Sequence, residues 1–338
     1  MILHPGIMAL LGGTGLVLLM MLYASSLAIK ILRRWDFYSC SEEQLQLERK
    51  TFLVSTIVNY ALGFQVLSLF LFIYTLEEIH PLFVGAMCAT GSLNANPIGW
   101  SALYVKILVF FAAALWIALN YLDGRAEDSP LIKLKYSYLL LLTPLIGGEL
   151  YLQISYFYQL DPEIITSCCG SLFSADGSGV AADLAGLAPG RMMLLFYGLA
   201  ALLAGLAWLC WKKTAPWLRY SFSLAGAIFF VAALISVISF ISLYIYELPT
   251  HHCPFDLLQK NYGFIGYPLY VGLFVGTLFS ILPGLFQPLK KYPSLIFEIE
   301  RLEKKWLLTA LIFFVLFVLI ASWPIVFGHF RLMNFARF

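Results

Sequence analysis

The fold class this sequence predicts is an all-α integral membrane protein with about eight transmembrane helices. Three observations carry that expectation. The 338 residues are 61% apolar and only 12% charged, against about 25% charged in an ordinary soluble domain. The mean hydropathy is +0.85. The apolar residues gather into runs of about 20 or more, long enough for a helix to cross a bilayer.

Eight spans follow, at about 6–29, 52–75, 101–122, 137–159, 191–211, 220–246, 266–286 and 306–328, forming one polytopic membrane domain over 1–338. The first run has no Lys or Arg ahead of it, and its basic residues (Lys30, Arg33 and Arg34) follow it. A cleaved signal peptide has the opposite arrangement, so a retained span is expected. Sixteen Lys and Arg fall in one set of connections and four in the other. The positive-inside rule then puts both termini, and the segment His251-His252-Cys253, on the extracytoplasmic side. Short connections with no sizeable soluble domain fit a prokaryotic cytoplasmic (inner) membrane.

Outward-running spans begin just after Lys50, Lys135, Arg219 and Lys305, at intervals of 85, 84 and 86 residues. Two returning spans open alike, as Ile98-Gly99-Trp100 and Ile265-Gly266-Tyr267. Three tandem helical hairpins with flanking spans are expected, as in other membrane bundles built from repeats. Aromatic belts alone would produce part of the similarity. Ser41-Glu42-Glu43-Gln44 has the form of a capping box, and 294–306 is amphipathic. Both are expected to be interfacial helices.

The chemistry is one-sided. All five histidines (His4, His80, His251, His252 and His329) and four of six cysteines (Cys88, Cys168, Cys169 and Cys253) fall at the extracytoplasmic end. Three readings stay open for them. Two disulfides could staple the loops, with Cys168 and Cys169 bonded one each to Cys88 and Cys253. Alternatively, imidazole and thiolate suit copper or zinc, with Met87 favouring cuprous copper, and His80 with His251 or His252 could ligate a non-covalent haem. The third reading is thiol–disulfide exchange, with His251 and His252 lowering the pKa of Cys253. No Cys-x-x-Cys-His motif for covalent c-type haem is present, and no Cys-x-x-Cys pair. The loop 88–97 is rich in turn residues and is expected to fold back over the bundle mouth. A short helix is expected near 180–187.

Glu149 sits mid-span, where a carboxylate costs about 2.5–3.5 kcal/mol and demands a partner. Gln153 continues its helical face, and Gln65 occupies the corresponding place one repeat earlier. Lys106 is expected to snorkel to the outer interface, with pairing to Glu149 as the alternative. These four residues are candidates for a proton, quinone or ion path. Ser236, Ser239 and Ser242 are expected to pack between helices.

No basic stripe, Walker loop or dinucleotide fingerprint points to nucleic acid or nucleotide. Expected partners are lipid and other membrane or extracytoplasmic subunits. No catalytic triad is readable, so enzymatic activity is left open. The leading functional expectation is a membrane subunit of an extracytoplasmic redox or metal-handling system. A transporter with Glu149 in its pathway and a disulfide-stapled structural anchor are the alternatives.

Overall fold

In an apolar run long enough to cross a bilayer, the helix satisfies the backbone N–H and C=O groups within the segment itself, and it carries Pro144, Pro283 and Pro324 in its course. The computed structural model describes residues 2–36, 39, 41–126, 128–161, 163–166 and 187–332. Among them there are helices and no strands, apart from an isolated parallel bridge between Val84 and Ile165. The long helices are α1 (Pro5–Arg34), α2 (Glu42–Ile79), α4 (Gly99–Asp123), α5 (Ile132–Tyr158), α6 (Pro189–Lys212), α7 (Pro216–Ser236), α9 (Gly266–Leu285) and α10 (Ile296–Phe327). Two short helices, α3 (Ala89–Asn94) and α8 (Ser242–Tyr246), are also among the described residues, with α8 joined to α7 by a π-helical turn, Val237–Ile241. Among the described residues, eight helical stretches are long and apolar enough to cross a membrane. They coincide with the expected spans and extend most of them.

The extensions correct one expectation. Ser41 does cap its helix, with the Gln44 N–H donating to Ser41 Oγ at 3.3 Å. The segment after it is the first three turns of α2, however, and not a separate interfacial helix. Likewise, 296–306 is the start of α10. Neither stretch contains the Gly or Pro that would break it from the apolar run behind it.

The chain divides into two compact units. The first comprises Met1–Leu76, Leu93–Asp161 and Tyr292–Glu298, and holds α1, most of α2, α4 and α5. Here α5 is the hub. Ser25 Oγ and Thr143 Oγ1 join it to α1 at 2.8 Å, Ser55 Oγ and Tyr136 OH join it to α2 at 2.9 Å, and Tyr138 OH donates to the Ala112 carbonyl of α4 at 2.9 Å. Around these bonds lies a core that includes Val58, Leu62, Trp116, Leu139, Leu142 and Ile146. Close approach of α1 and α2 depends on Gly13, where a Cβ would come within 2.2 Å of the Phe64 ring.

The second unit comprises Glu77–Ser92, Pro162–Lys291 and Ile299–Phe338. Phe196 of α6, Phe229 of α7 and Phe317 of α10 pack ring on ring, with centroids 5.5–6.1 Å apart. Such aromatic pairs add about 0.5–1.5 kcal/mol each beyond their buried area. Helices α7 and α9 touch through small residues, with Ser223 Oγ donating to the Ser280 carbonyl at 2.8 Å.

The hydroxyls of the serine stripe find different acceptors. Ser236 and Ser242 donate to their own helix at the Ala232 and Ile238 carbonyls, and only Ser239 reaches another segment, at the Leu187 carbonyl. All three are fully buried, and the π turn Val237–Ile241 lies among them.

Candidate functional site: a buried cysteine and carboxylate cluster

Two connections build the site within the second unit. Helix α2 ends at Ile79, and a 3-10 turn, His80–Leu82, leads to Cys88 at the start of α3. Helix α8 ends with Glu247 in the left-handed conformation at φ 55°, a turn that sends the chain into His251-His252-Cys253. The loops are tied together where Gln259 Nε2 donates to the Met87 carbonyl at 2.6 Å. Glu77 accepts the Ala89 N–H at 2.8 Å and so anchors α3.

Between the loops, Cys88 Sγ lies 3.4 Å from Cys253 Sγ, with both residues fully buried. A disulfide requires about 2.05 Å, and no disulfide is present among the described residues. Cys168 and Cys169, the expected partners of these two thiols, lie outside the described residues, as does most of the helix expected near 180–187. What the structure adds is that Cys88 and Cys253 face each other.

Asp256 completes the group. One ligand atom from each of Cys88, Cys253 and Asp256 lies within 4.8 Å of the other two. His251 Nε2 is hydrogen-bonded to Asp256 Oδ2, while the buried Oδ1 has no hydrogen-bond partner. The Phe255 N–H donates to Cys253 Sγ at 3.4 Å, which favours negative charge on that sulfur. Tyr246 OH donates to the Cys253 carbonyl at 2.6 Å and Tyr270 OH to the Pro254 carbonyl at 2.5 Å, fixing the backbone on both sides of the turn. Asp256 was the residue the sequence reading missed. Its signal was available in the spacing: it follows Cys253 by three residues, and the turn Asp256–Leu258 folds it back.

The histidines take other roles. His252 Nδ1 meets the Ile238 carbonyl at 2.8 Å. A carbonyl only accepts, so Nδ1 carries the proton and Nε2 keeps its lone pair. Burial lowers the His252 pKa below its ordinary value, disfavouring the charged ring. His80 Nδ1 likewise meets the Glu77 carbonyl. No histidine nitrogen belongs to the three-ligand group. Met87 is 63% exposed, outside the buried sulfur pair. The loop 88–97 is packed inward, with Cys88, Ala89, Thr90, Ser92 and Leu93 all fully buried.

A second polar cluster lies in the first unit. Glu149 accepts from Lys106 Nζ at 2.5 Å, Gln153 Nε2 at 2.7 Å and Gln65 Nε2 at 3.2 Å. The expected snorkelling of Lys106 is overturned, since its side chain is fully buried and ion-paired. A carboxylate within reach on α5 compensates the ammonium better than a climb to the interface. All four residues expected together are therefore brought together. No protein-family model, no curated protein and no solved structure matches the chain.

Proposed function

We propose that the chain is a multi-pass membrane protein, of the prokaryotic cytoplasmic membrane, that handles a metal ion at its extracytoplasmic end. Its centre is Cys88, Cys253 and Asp256. Membrane insertion is supported by eight apolar helices whose outward faces carry residues such as Leu19, Leu141, Leu194 and Ile312. The hairpin duplication belongs to the same reading. It is supported by the shared openings of α4 and α9.

The single observation that carries the metal reading is the buried Asp256 oxygen left without a partner beside two facing thiols. An unsatisfied buried carboxylate oxygen is costly, and a cation between it and the sulfurs removes that cost. Thiol–disulfide exchange with a protein partner is the second reading, supported by the 3.4 Å sulfur separation. It fits less well because both sulfurs are buried and the neighbouring carboxylate opposes thiolate formation.

The transport reading is weakened by what lies along α5. Between the Ser55–Tyr136 contact and the Gln65–Glu149 contact, Val58, Leu62, Leu139, Leu142 and Ile146 are buried apolar residues, interrupted by the hydroxyl pair Ser25–Thr143. At 1.5 Å per residue that is about 20 Å of helix.

The test is to purify the protein without reductant or added chelator, measure its metal content and count alkylatable thiols by mass spectrometry. A stoichiometric metal that is lost in Cys253→Ser supports the centre. A metal-free protein in which Cys88 and Cys253 are recovered as one disulfide-linked peptide would make them a staple.

A further inference from the structure

We infer that the ion suited to this centre is a borderline divalent cation of the zinc type, held by three protein ligands with a fourth position left for an exchangeable group. This rests on the metal reading above and goes beyond it by selecting among ions. Three features of the site select.

The first is donor chemistry. Two thiolates with one carboxylate oxygen form a mixed soft and hard set, which suits Zn²⁺, whereas cuprous copper favours thiolate and thioether sulfur. The nearest thioether in sequence, Met87, is mostly exposed, whereas Cys88 and Cys253 are fully buried.

The second is geometry. With metal–sulfur bonds of about 2.3 Å, two thiolates on a tetrahedral ion sit about 3.8 Å apart, whereas a linear two-thiolate ion would separate them by about 4.6 Å. The observed 3.4 Å needs a small outward shift for the first and more than 1 Å for the second.

The third is charge. Two thiolates and a carboxylate carry −3, so a divalent ion leaves −1 in a buried site and a monovalent ion leaves −2. Uncompensated buried charge is the larger cost.

The outer contacts are those a metal ligand requires. His251 holds the second oxygen of Asp256 and so orients the carboxylate, as partners of ligating groups commonly do. The Phe255 N–H rests on Cys253 Sγ. Three protein ligands with a vacant fourth position mark sites that exchange or activate a small ligand, whereas structural zinc sites are closed by four.

The experiment uses full-length protein in detergent, reduced with a phosphine and stripped of metal. It is titrated with Zn²⁺ against a chromophoric chelator, with Cu⁺ against a cuprous chelator, and with Co²⁺ for its absorption spectrum. The expected result is one Zn²⁺ per chain and a Co²⁺ spectrum with thiolate charge-transfer bands and four-coordinate ligand-field bands. His251→Ala should weaken Zn²⁺ about 10–100-fold, Asp256→Asn should weaken it more, and Cu⁺ affinity should be unchanged in Asp256→Asn.

Tight Cu⁺ binding with no Zn²⁺ binding, or Zn²⁺ binding indifferent to Asp256→Asn but abolished in Cys253→Ser, would overturn this inference and leave the metal centre standing. If neither ion binds, or if Cys253→Ser binds like the wild type, the centre itself falls. The wild-type Co²⁺ spectrum reports ligand type without any variant, so a misfolded mutant does not block the test.

Discussion

Lys106 Nζ lies 2.5 Å from Glu149 Oε1, and the two side chains are 0% and 1% exposed. Removing one partner of such a pair strands a buried charge and costs about 3–5 kcal/mol, whereas replacing both with apolar residues is often neutral or stabilising. Lys106→Met alone should therefore unfold more easily in a denaturant titration, and Lys106→Met/Glu149→Leu should recover most of the loss. Equal stability of the single and double variants would show that the pair is not a brace.

Glu303 gathers a comparable cluster in the second unit. Its Oε2 accepts from Arg219 Nε at 3.1 Å, and its Oε1 meets Lys290 Nζ at 3.0 Å and also accepts from Gln287 Nε2. Arg219 Nη1 also donates to the Cys210 and Lys213 carbonyls, at 2.7 and 2.9 Å. One guanidinium thus caps the end of α6 while pairing with α10. An ammonium cannot reproduce that fork. Arg219→Lys should cost about 1.5–3 kcal/mol, the range for hydrogen bonds to charged groups. A melting temperature equal to the wild type would reject this role.

The burial of Cys88 and Cys253 has a direct chemical consequence. A bulky maleimide should label neither thiol in the folded, reduced protein within minutes, and both once the chain is unfolded in detergent. Rapid native labelling of Cys253 would instead favour exchange with a protein partner over a buried metal centre.

The spans were legible because each depends on local composition, and a run of about 20 apolar residues has few alternatives. Glu149 with Gln65 and Gln153 was legible for the same reason, since a carboxylate at that depth must find donors. Lys106 was misjudged because the sequence offers two ways to compensate a buried ammonium, and only the packing of α4 on α5 decides between them. The meeting of Cys88 with Cys253 joins residues 165 positions apart, and no periodicity encodes such a contact. The π turn at Val237–Ile241 was invisible for a related reason: Ser236, Ser239 and Ser242 fit an ordinary helix equally well.

Gly226 of α7 faces Ser280 of α9 at close range. A Cβ there would come within 2.0 Å of Ser280 Oγ and 2.7 Å of Ser280 Cβ. Rotating the hydroxyl away relieves only the first clash, so the helices must part. Overpacking of this kind costs about 1–3 kcal/mol. Ser280 Oγ also donates to the Thr277 carbonyl at 2.8 Å, so the side chain is not simply free to turn. Gly226→Ala should lower the melting temperature, and Gly226→Ala/Ser280→Gly should restore part of it by moving the small residue to the facing helix. If the second substitution deepens the loss, the limiting contact lies elsewhere along the α7–α9 seam.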